Sequence, residues 1–233
     1  MRVILITGIN RGLGKAFFNY FIKNKSWLII GISRHINQTQ IDLLKDNEFV
    51  FIQADLMNLG CIEKLNIHNY IEEAEEIVYI NNAATINPIN KIGGFETEEL
   101  HNIIQLNTFV PIFITNYLFK TASKKKLTIL NISSGAALSP IVGWSLYCAT
   151  KAANEMFFNV LKEQEQENEN VKVLNINPGV INSGMQQFIR KVDESVFPRV
   201  KDFIKLKKEN KLLDPKDVVE EILKESEIAN IKL

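Results

Sequence analysis

Three side chains in the middle of the sequence have types and spacing suited to moving a proton to a carbonyl oxygen. Tyr147 and Lys151 are four residues apart, so on a helix they share one face. A lysine ammonium favours the phenolate of a nearby tyrosine and is expected to lower the pKa of the phenol from about 10. Ser134 precedes Tyr147 by thirteen residues and is expected to hold the carbonyl oxygen. Because Tyr-x-x-x-Lys alone is common by chance, the rest of the chain must support this interpretation.

A buried strand and a helix are expected to position these side chains. The alternating, β-branched run 128–132 predicts a strand, which ends at Ser133 and Ser134. Open α/β sheets bind ligands at the carboxyl ends of their strands. A loop of small residues follows, and a helix is expected to begin near Trp144 or Ser145.

The start of the chain has the features of a site for a dinucleotide. The apolar run 3–6 predicts a strand buried on both faces, and a helical pattern covers roughly 15–24. Between them lie Gly8, Gly12 and Gly14, which are expected to allow a tight turn, approach of the backbone to a pyrophosphate, and close helix packing. The N-terminus of the helix would attract the phosphates. The residues predicted to contact the cofactor here are Gly8, Asn10, Arg11, Gly12, Leu13 and Gly14.

The end of the second predicted strand favours NADP(H) over NAD(H). Folds that prefer NAD place an Asp or Glu there to bind the ribose 2′-hydroxyl. This chain has Ser33 and Arg34 instead, with no acidic residue before Asp42. A guanidinium forms charge-assisted hydrogen bonds with phosphate, and Arg11 is expected to join Arg34. Two solvated arginines are the alternative interpretation.

Three later strand ends supply further candidates for cofactor contact. Asp55 follows the predicted strand 49–53 and either accepts from an adenine amino group or caps a helix. The strands 77–80 and 171–177 end in small or turn-forming residues, where a ligand can approach the backbone. The candidates are Asp55, Leu56, Asn82, Ala83, Ala84, Pro178, Gly179, Val180 and Ile181.

Strands alternate with helices along the chain, which predicts one doubly wound, Rossmann-like α/β domain over residues 1–233. About seven parallel strands are expected, the last at 229–233. A helical but interrupted segment, 182–213, is expected to cover the substrate. Another helical pattern, 97–123, contains a proline, Pro111, that should bend it.

Composition and charge argue against several classes of protein. With 27 basic and 27 acidic side chains among 233 residues, no overall field would recruit nucleic acid or an anionic membrane. Two cysteines, Cys61 and Cys148, predict neither a disulfide framework nor a metal site. The N-terminal apolar run is too short for a signal peptide and no stretch reaches membrane-spanning length, so a cytoplasmic protein is expected.

In combination, these motifs resemble the short-chain dehydrogenase/reductase family over nearly the whole chain. The segment 7–14 resembles the family's cofactor turn, and 81–84 resembles its Asn-Asn-Ala-Gly motif, with an alanine in place of the glycine. The resemblance implies a catalytic tetrad, in which the asparagine holds a water of a proton relay and the lysine also binds the nicotinamide ribose. The tetrad residues are Asn107, Ser134, Tyr147 and Lys151.

The same resemblance implies an activity and a set of cofactor contacts. Ser183, where threonine is usual, would meet the nicotinamide carboxamide together with the Pro-Gly pair before it. The segments 143–148 and 178–186 are similar to sepiapterin reductases and to bacterial benzil (1,2-diketone) reductases. This implies an NADPH-dependent carbonyl reductase for hydrophobic or aromatic 1,2-diketones, forming a dimer or tetramer.

Several alternatives remain on the same fold. The acid that anchors the pterin in sepiapterin reductases has no counterpart after Glu227, which places sepiapterin second. A non-catalytic NADP(H) sensor usually lacks the tyrosine or the lysine, and a nucleotide-sugar epimerase or dehydratase normally has a larger C-terminal domain. The residues expected to form apolar walls for the substrate are Ala136, Leu138, Ile141 and Trp144.

Overall fold

The computed structural model describes residues 1–23, 25–46, 48–122 and 124–228. Within these ranges six parallel strands form one sheet, in the order β3-β2-β1-β4-β5-β6. The strands are β1 Arg2–Thr7, β2 Leu28–Ser33, β3 Val50–Gln53, β4 Glu76–Asn81, β5 Lys126–Ile132 and β6 Val171–Ile176. The predicted Rossmann-like fold is confirmed. The strand predicted at 229–233 lies outside the described residues.

Helices connect the strands and cover the sheet. They are α1 Gly12–Phe21, α2 Gln38–Lys45, α3 Leu59–Ile62, α4 His68–Glu73, α5 Thr97–Ile104, α6 Val110–Ala122, α7 Ser145–Gln164, α8 Gly184–Ile189, α9 Val200–Lys208 and α10 Pro215–Glu225. None of these described helices is both long enough and apolar enough to cross a membrane. The first helix begins at Gly12, earlier than the predicted residue 15, because the glycine turn leads directly into it.

The central strands are buried on both faces, as their continuous apolar runs predict. On β1, Val3 and Leu5 belong to one core cluster, whereas Ile4 and Ile6 belong to a second cluster on the opposite face. Such alternation follows from the two-residue period of a strand. The sheet therefore forms a rigid support between two layers of helices.

Three asparagines form a hydrogen-bonded row across the sheet. Asn81, Asn131 and Asn175 are in register on β4, β5 and β6. The Asn81 Nδ2 donates to Asn131 Oδ1 at 2.8 Å, and the Asn131 Nδ2 donates to Asn175 Oδ1 at 2.7 Å. Asn175 in turn donates to Asn159 Oδ1 on α7 at 2.9 Å. Because buried amides need partners, this row satisfies them and ties α7 to the strands.

The long helix predicted over 97–123 is interrupted before Pro111. Residues Gln105–Phe109 form a π-helical turn between α5 and α6. Proline cannot donate to the carbonyl four residues earlier, which is that of Asn107. This carbonyl instead accepts a hydrogen bond from Nδ2 of Asn154 on α7. The π-turn therefore docks on α7, where the prediction placed only a bend.

Residues 182–213, called the arm below, leave the sheet after β6 and end beside the segment where they began. A parallel bridge pairs Ile181 with Leu213 at the base of the arm. The Asn182 N–H donates to the Leu213 carbonyl at 2.9 Å, and the Leu213 N–H donates to the Val180 carbonyl at 3.0 Å. The arm contains α8 and α9 and is closed at its base by these backbone contacts.

Candidate active site

A cavity of about 710 Å³ opens at the carboxyl ends of the strands. It lies where the strand order reverses, between β1 and β4, which is the usual ligand crevice of this architecture. Its wall contains Ser134, Tyr147 and Lys151, and every predicted cofactor residue except Gly14. Of the predicted catalytic residues, Asn107 lies away from the wall. The structure thus brings most of the predicted residues to one site.

The glycine turn is fastened to the end of β4 by short polar contacts. Oγ1 of Thr7 accepts from the N–H groups of Asn82 and Ala83 at 3.1 and 3.0 Å. Nδ2 of Asn82 donates to the carbonyl oxygens of Thr7 and Gly8 at 2.9 and 3.2 Å. A Cβ on Gly14 would lie 2.1 Å from the Gly8 oxygen and 2.4 Å from Nδ2 of Asn82. Gly14 therefore allows α1 to pack at this distance, as predicted.

A buried glutamine also holds this turn, although the sequence patterns did not single it out. Gln40 is 1% exposed, and its Nε2 donates to the carbonyl of Ile9 at 2.9 Å. Its Oε1 accepts from the N–H of Asn37, the N-cap of α2, at 3.1 Å. The Asn-x-x-Gln spacing is typical of a capping box and could have indicated that Gln40 bonds the start of α2. Gln40 thereby links the start of α2 to the glycine turn.

Basic and polar side chains line the end of the cavity beside β2. Ser33 ends β2, and Arg34 and His35 follow it on the wall. Arg11 lies on the wall from the glycine turn. Oγ of Ser33 donates to the carbonyl of His35 at 2.5 Å. Nη1 of Arg11 is 3.8 Å from the position that a Cβ on Gly184 would take, so this guanidinium extends toward the arm. The two predicted phosphate ligands share one cavity, and His35 joins them.

Asp55 lies on the cavity wall, and the alternative role predicted for it is wrong. Its Oδ1 accepts from the N–H of Met57 at 3.0 Å, which closes a turn after β3. The N-cap of α3 is Asn58, whose side chain accepts from the N–H of Gly60 at 2.9 Å. The helix begins four residues after Asp55, so a helix-capping role is excluded, and the predicted cofactor contact remains.

Tyr147 and Lys151 lie on successive turns of α7 and face the end of β5. Nζ of Lys151 donates to the carbonyl of Ile132 at 2.7 Å and lies 5.9 Å from the centre of the Tyr147 ring. Ser134 is hydrogen-bonded to Tyr147, and its Oγ accepts from the N–H of Ala136 at 3.2 Å. Ser134, Tyr147 and Lys151 thus form one group on the wall.

The protonation of this group differs from the expectation that Lys151 lowers the pKa of Tyr147. Burial raises the pKa of Tyr147 to about 12. The hydrogen bond with Ser134 lowers this pKa, but by less than burial raises it. Burial also lowers the pKa of Lys151 to about 8, and the Glu155 carboxylate opposes that change. Removal from water dominates for both groups because it disfavours the charged form of each. Tyr147 is therefore a neutral hydroxyl, which is the form that can donate a proton.

Asn107 is buried in the π-turn and has its polar atoms occupied. Its Oδ1 accepts from the N–H of Thr85 at 2.9 Å. Its Nδ2 donates to the carbonyl of Thr85 at 2.7 Å and to Oγ1 of Thr150 at 3.1 Å. These contacts fasten the loop after β4 to α7. The water-holding role that the family resemblance implied for Asn107 stays a prediction.

The other end of the cavity is apolar, and three of the four predicted wall residues lie on it. Ala136, Ile141 and Trp144 line the cavity. Leu138 is 80% exposed and lies off the wall, so its predicted role is wrong. Leu138 follows the short 3₁₀ turn 135–137. Ala136 is the buried residue of that turn, and Leu138 points outward.

Aromatic rings join the arm to the start of α7. Trp144 stacks on Phe197 of the arm, with ring centres 5.0 Å apart and planes at 6°, and lies 5.4 Å from Phe203. It also meets Tyr147 edge-on at 5.8 Å. Phe203 and Arg199 of the arm line the cavity, although the patterns did not select them. The arm therefore supplies part of the apolar end.

Comparison with known proteins gives one family match and several relatives. The family described as short chain dehydrogenase matches residues 2–194. Benzil reductase ((S)-benzoin forming) of Bacillus cereus is 34% identical over 232 residues, covering 95% of this chain and 92% of that protein. Its namesake in Bacillus subtilis is 32% identical over 227 residues, with 92% and 89% covered. Sepiapterin reductase of Mus musculus is 30% identical over 231 residues, with 91% and 86% covered.

Solved structures resemble the fold closely. The KRED1-Pglu enzyme aligns with a TM-score of 0.82 at 24% identity, covering 94% of this chain and 91% of that one. The 4-hydroxyisoleucine dehydrogenase complexed with NADH aligns with a TM-score of 0.80 at 25% identity, with 99% and 92% covered. The architecture is shared along almost the whole length of each chain.

Proposed function

Because the chain belongs to the short-chain dehydrogenase family, a family of oxidoreductases, we propose that it is an NADPH-dependent carbonyl reductase. Its proposed substrates are hydrophobic or aromatic 1,2-diketones. The observation that carries the proposal is the position of Ser134, Tyr147 and Lys151 between a basic end and an aromatic end of one cavity. Hydride donor and carbonyl would meet at these three side chains.

The residues of the basic end fit a nicotinamide dinucleotide. Gly8 and Gly12 have φ angles of +78° and +55°, a conformation that keeps the turn before α1 open and that side chains disfavour. The N-terminal N–H groups of α1 would meet the pyrophosphate. When bound, the dinucleotide supplies the hydride, and Lys151 together with residues 178–183 would hold its nicotinamide half. Asp55 and Leu56 would contact the adenine half.

The choice of NADP(H) rests on the residues that follow β2. Arg34 lies where NAD-preferring folds have a carboxylate, and Ser33 and Arg11 share its cavity. A 2′-phosphate would form charge-assisted hydrogen bonds with these guanidinium groups.

Proton transfer is assigned to the neutral hydroxyl of Tyr147. This hydroxyl donates its proton to the substrate oxygen as negative charge develops there, and Ser134 donates a hydrogen bond to the same oxygen. The ammonium of Lys151 stabilises the phenolate that remains. Each group of this kind typically contributes about 10²–10⁴-fold to the rate.

The apolar end of the cavity supports an aromatic or hydrophobic substrate. Ile141, Trp144 and Phe203 form its wall, and the arm would cover a substrate bound there. The Bacillus relatives are benzil reductases, which favours a diketone. Sepiapterin is the second candidate, supported by the Mus musculus relative.

A homo-oligomer is also proposed, formed through α5, the π-turn and α7. These elements present large apolar side chains to solvent: Ile104, Phe109, Met156 and Val160. Exposed apolar groups on adjacent helices are typical of contacts between protein chains. Light scattering on the purified protein would give a dimer or tetramer mass. The expected cytoplasmic location stays a prediction.

The test of the proposed activity is oxidation of NADPH, followed by its absorbance, with benzil, 1-phenyl-1,2-propanedione or sepiapterin. We expect turnover of the diketones, faster with NADPH than with NADH. Replacing Tyr147 by Phe should lower kcat by at least ~10²-fold and leave NADPH affinity intact, because only the proton donor is lost.

Tyr20→Phe is the matched control, since Tyr20 lies on α1 away from the cavity wall, and it should keep full activity. Tight NADPH binding without reduction of any of these carbonyls would reject the reductase proposal and favour the cofactor-sensing alternative.

A further inference from the structure

Glu155 follows Tyr147 and Lys151 along α7. Tyr147, Lys151 and Glu155 are spaced by four residues, so they lie on one face of the helix at successive turns. Lys151 is 5% exposed, and Glu155 is partly buried. An ammonium and a carboxylate at this spacing attract each other, and their attraction increases as water is removed.

The end of β5 contacts this face of α7 residue by residue. The carbonyl of Ile132 accepts a hydrogen bond from Nζ of Lys151 at 2.7 Å. Ser133, the next residue, donates from its Oγ to Oε2 of Glu155. Ser134, the residue after that, is hydrogen-bonded to the catalytic tyrosine. The carboxylate of Glu155 is therefore held in place by the strand that also positions the serine of the catalytic group.

Resting on the proposed function, we propose that Glu155 is a positioning residue whose carboxylate, held by Ser133, keeps Lys151 in its ammonium form. The carboxylate acts through Lys151 and touches neither substrate nor cofactor. Deleting its charge should alter the pH range in which the enzyme works, as well as its rate.

The surroundings of Lys151 make Glu155 the group that matters for its charge. Burial lowers the pKa of Lys151 to about 8, and the Glu155 carboxylate opposes that shift. Between residues 147 and 155 of α7, the other titratable side chain on this face is Tyr147, which is neutral at that pH because burial raises its pKa to about 12. Lys162 lies on the same face two turns beyond Glu155 and is exposed. The charged or titratable groups elsewhere on the cavity wall are Arg11, Arg34, His35, Asp55 and Arg199.

The backbone of α7 at this turn has separate support, so the charge can be removed without freeing the helix. Nδ2 of Asn175 on β6 donates to the carbonyl of Glu155 at 3.2 Å and to Oδ1 of Asn159 at 2.9 Å. These contacts do not use the carboxylate. A glutamine at position 155 keeps the shape of the side chain and can still accept from Ser133.

The direction of the pH effect follows from the burial of the lysine. The ammonium is present below its pKa and is lost as the pH rises through about 8. Without the neighbouring carboxylate, the ammonium should be lost at a lower pH. We therefore expect kcat/KM of Glu155→Gln to be ~3–10-fold below wild type at pH 8, and nearly equal to wild type at pH 6. Glu155→Asp should recover most of the loss.

The experiment is a pH titration of the protein labelled with ¹³C at the lysine ε carbon, observed by NMR. The Lys151 resonance is assigned by its absence in Lys151→Met. We expect its midpoint to move to lower pH in Glu155→Gln and to stay unchanged in Glu163→Gln, which removes an exposed charge from the same helix. Ser133→Ala keeps the charge and should give a smaller displacement.

This titration needs no substrate, so the two proposals can fail separately. A displaced midpoint in a protein that reduces no diketone supports the role of Glu155 and rejects only the proposed activity. An unchanged midpoint and pH profile in folded Glu155→Gln, with diketones still reduced, overturns the role of Glu155 alone. Folding of each variant is checked by its thermal midpoint.

Discussion

The two ends of the cavity are built by different kinds of contact. At the basic end, the proposed cofactor end, Nδ2 of Asn82 donates to the backbone carbonyl of Thr7, and Oγ1 of Thr7 accepts from the N–H of Ala83. A single methyl on Gly14 would collide there with the carbonyl of Gly8. At the apolar end, the proposed substrate end, Trp144 and Phe197 pack ring on ring, and a backbone bridge closes the base of the arm. A ligand shared by many enzymes can be held by backbone, whereas a ligand that differs between enzymes is better held by replaceable side chains.

The largest effect should come from Gly14→Ala at the cofactor end. The added Cβ would lie 2.1 Å from the Gly8 oxygen, so α1 must move away from β1. We expect NADPH affinity to fall by at least ~10²-fold, through misplacement of the helix N-terminus and loss of preorganisation. Fluorescence titration of NADPH would measure the change.

Gly60→Ala is the control for this variant. Gly60 is the second residue of α3, and a Cβ there would meet Oδ1 of Asn58 at an ordinary 3.4 Å. It should bind NADPH like wild type. If Gly14→Ala binds NADPH as tightly as the control, the close approach of α1 to the carbonyl of Gly8 is not needed for cofactor binding.

An intermediate effect is expected from Phe197→Ala in the arm. Phe197 is fully buried against Trp144 and Phe203, so its loss should cost about 3–5 kcal/mol of unfolding free energy. The loosened arm should raise KM for the diketone ~10-fold, and NADPH affinity should change less than ~2-fold. Denaturant unfolding and steady-state kinetics separate the two quantities.

Phe197→Leu retains most of the apolar volume and should lie between wild type and Phe197→Ala. Equal losses of NADPH and diketone affinity in the alanine variant would mean that the two ends of the cavity depend on the same contacts. That result would contradict their separate construction.

The smallest change in free energy should come from Arg34→Ala, which sharpens the description of the cofactor end. Loss of a hydrogen bond to a charged group costs about 1.5–3 kcal/mol, or ~10–100-fold in KM for NADPH. KM for NADH, which lacks the 2′-phosphate, should stay within ~2-fold of wild type. Lys64→Ala removes an exposed cation elsewhere and serves as the control. A parallel rise for both cofactors would remove Arg34 from the phosphate site.

Much of the cofactor end could be predicted because its signals are local. An apolar run followed by spaced glycines specifies a buried strand, a turn and a helix within the first 21 residues. The pair Tyr147 and Lys151 could be placed on one helix face from spacing alone. The doubly wound sheet follows from alternation of strands and helices.

The rest depends on contacts between distant segments. Gln40 reaches Ile9 across 31 positions, and the carbonyl of Asn107 meets Asn154 across 47, so neither bond is visible in a local pattern. The direction of the pKa shift of Tyr147 was mispredicted for the same reason, since burial in the folded protein raises this pKa. Leu138 was misplaced because apolar character does not tell which way a loop side chain points.

The row of Asn81, Asn131 and Asn175 has a consequence for how the sheet assembles. A slip of one residue between neighbouring strands turns every side chain to the opposite face. The slipped asparagine would then face apolar helices with its amide unpaired, at a cost of about 1–3 kcal/mol for each. Apolar strands rich in isoleucine and valine discriminate poorly between alignments on their own. The amide row therefore favours the native register of β4, β5 and β6 over misaligned sheets.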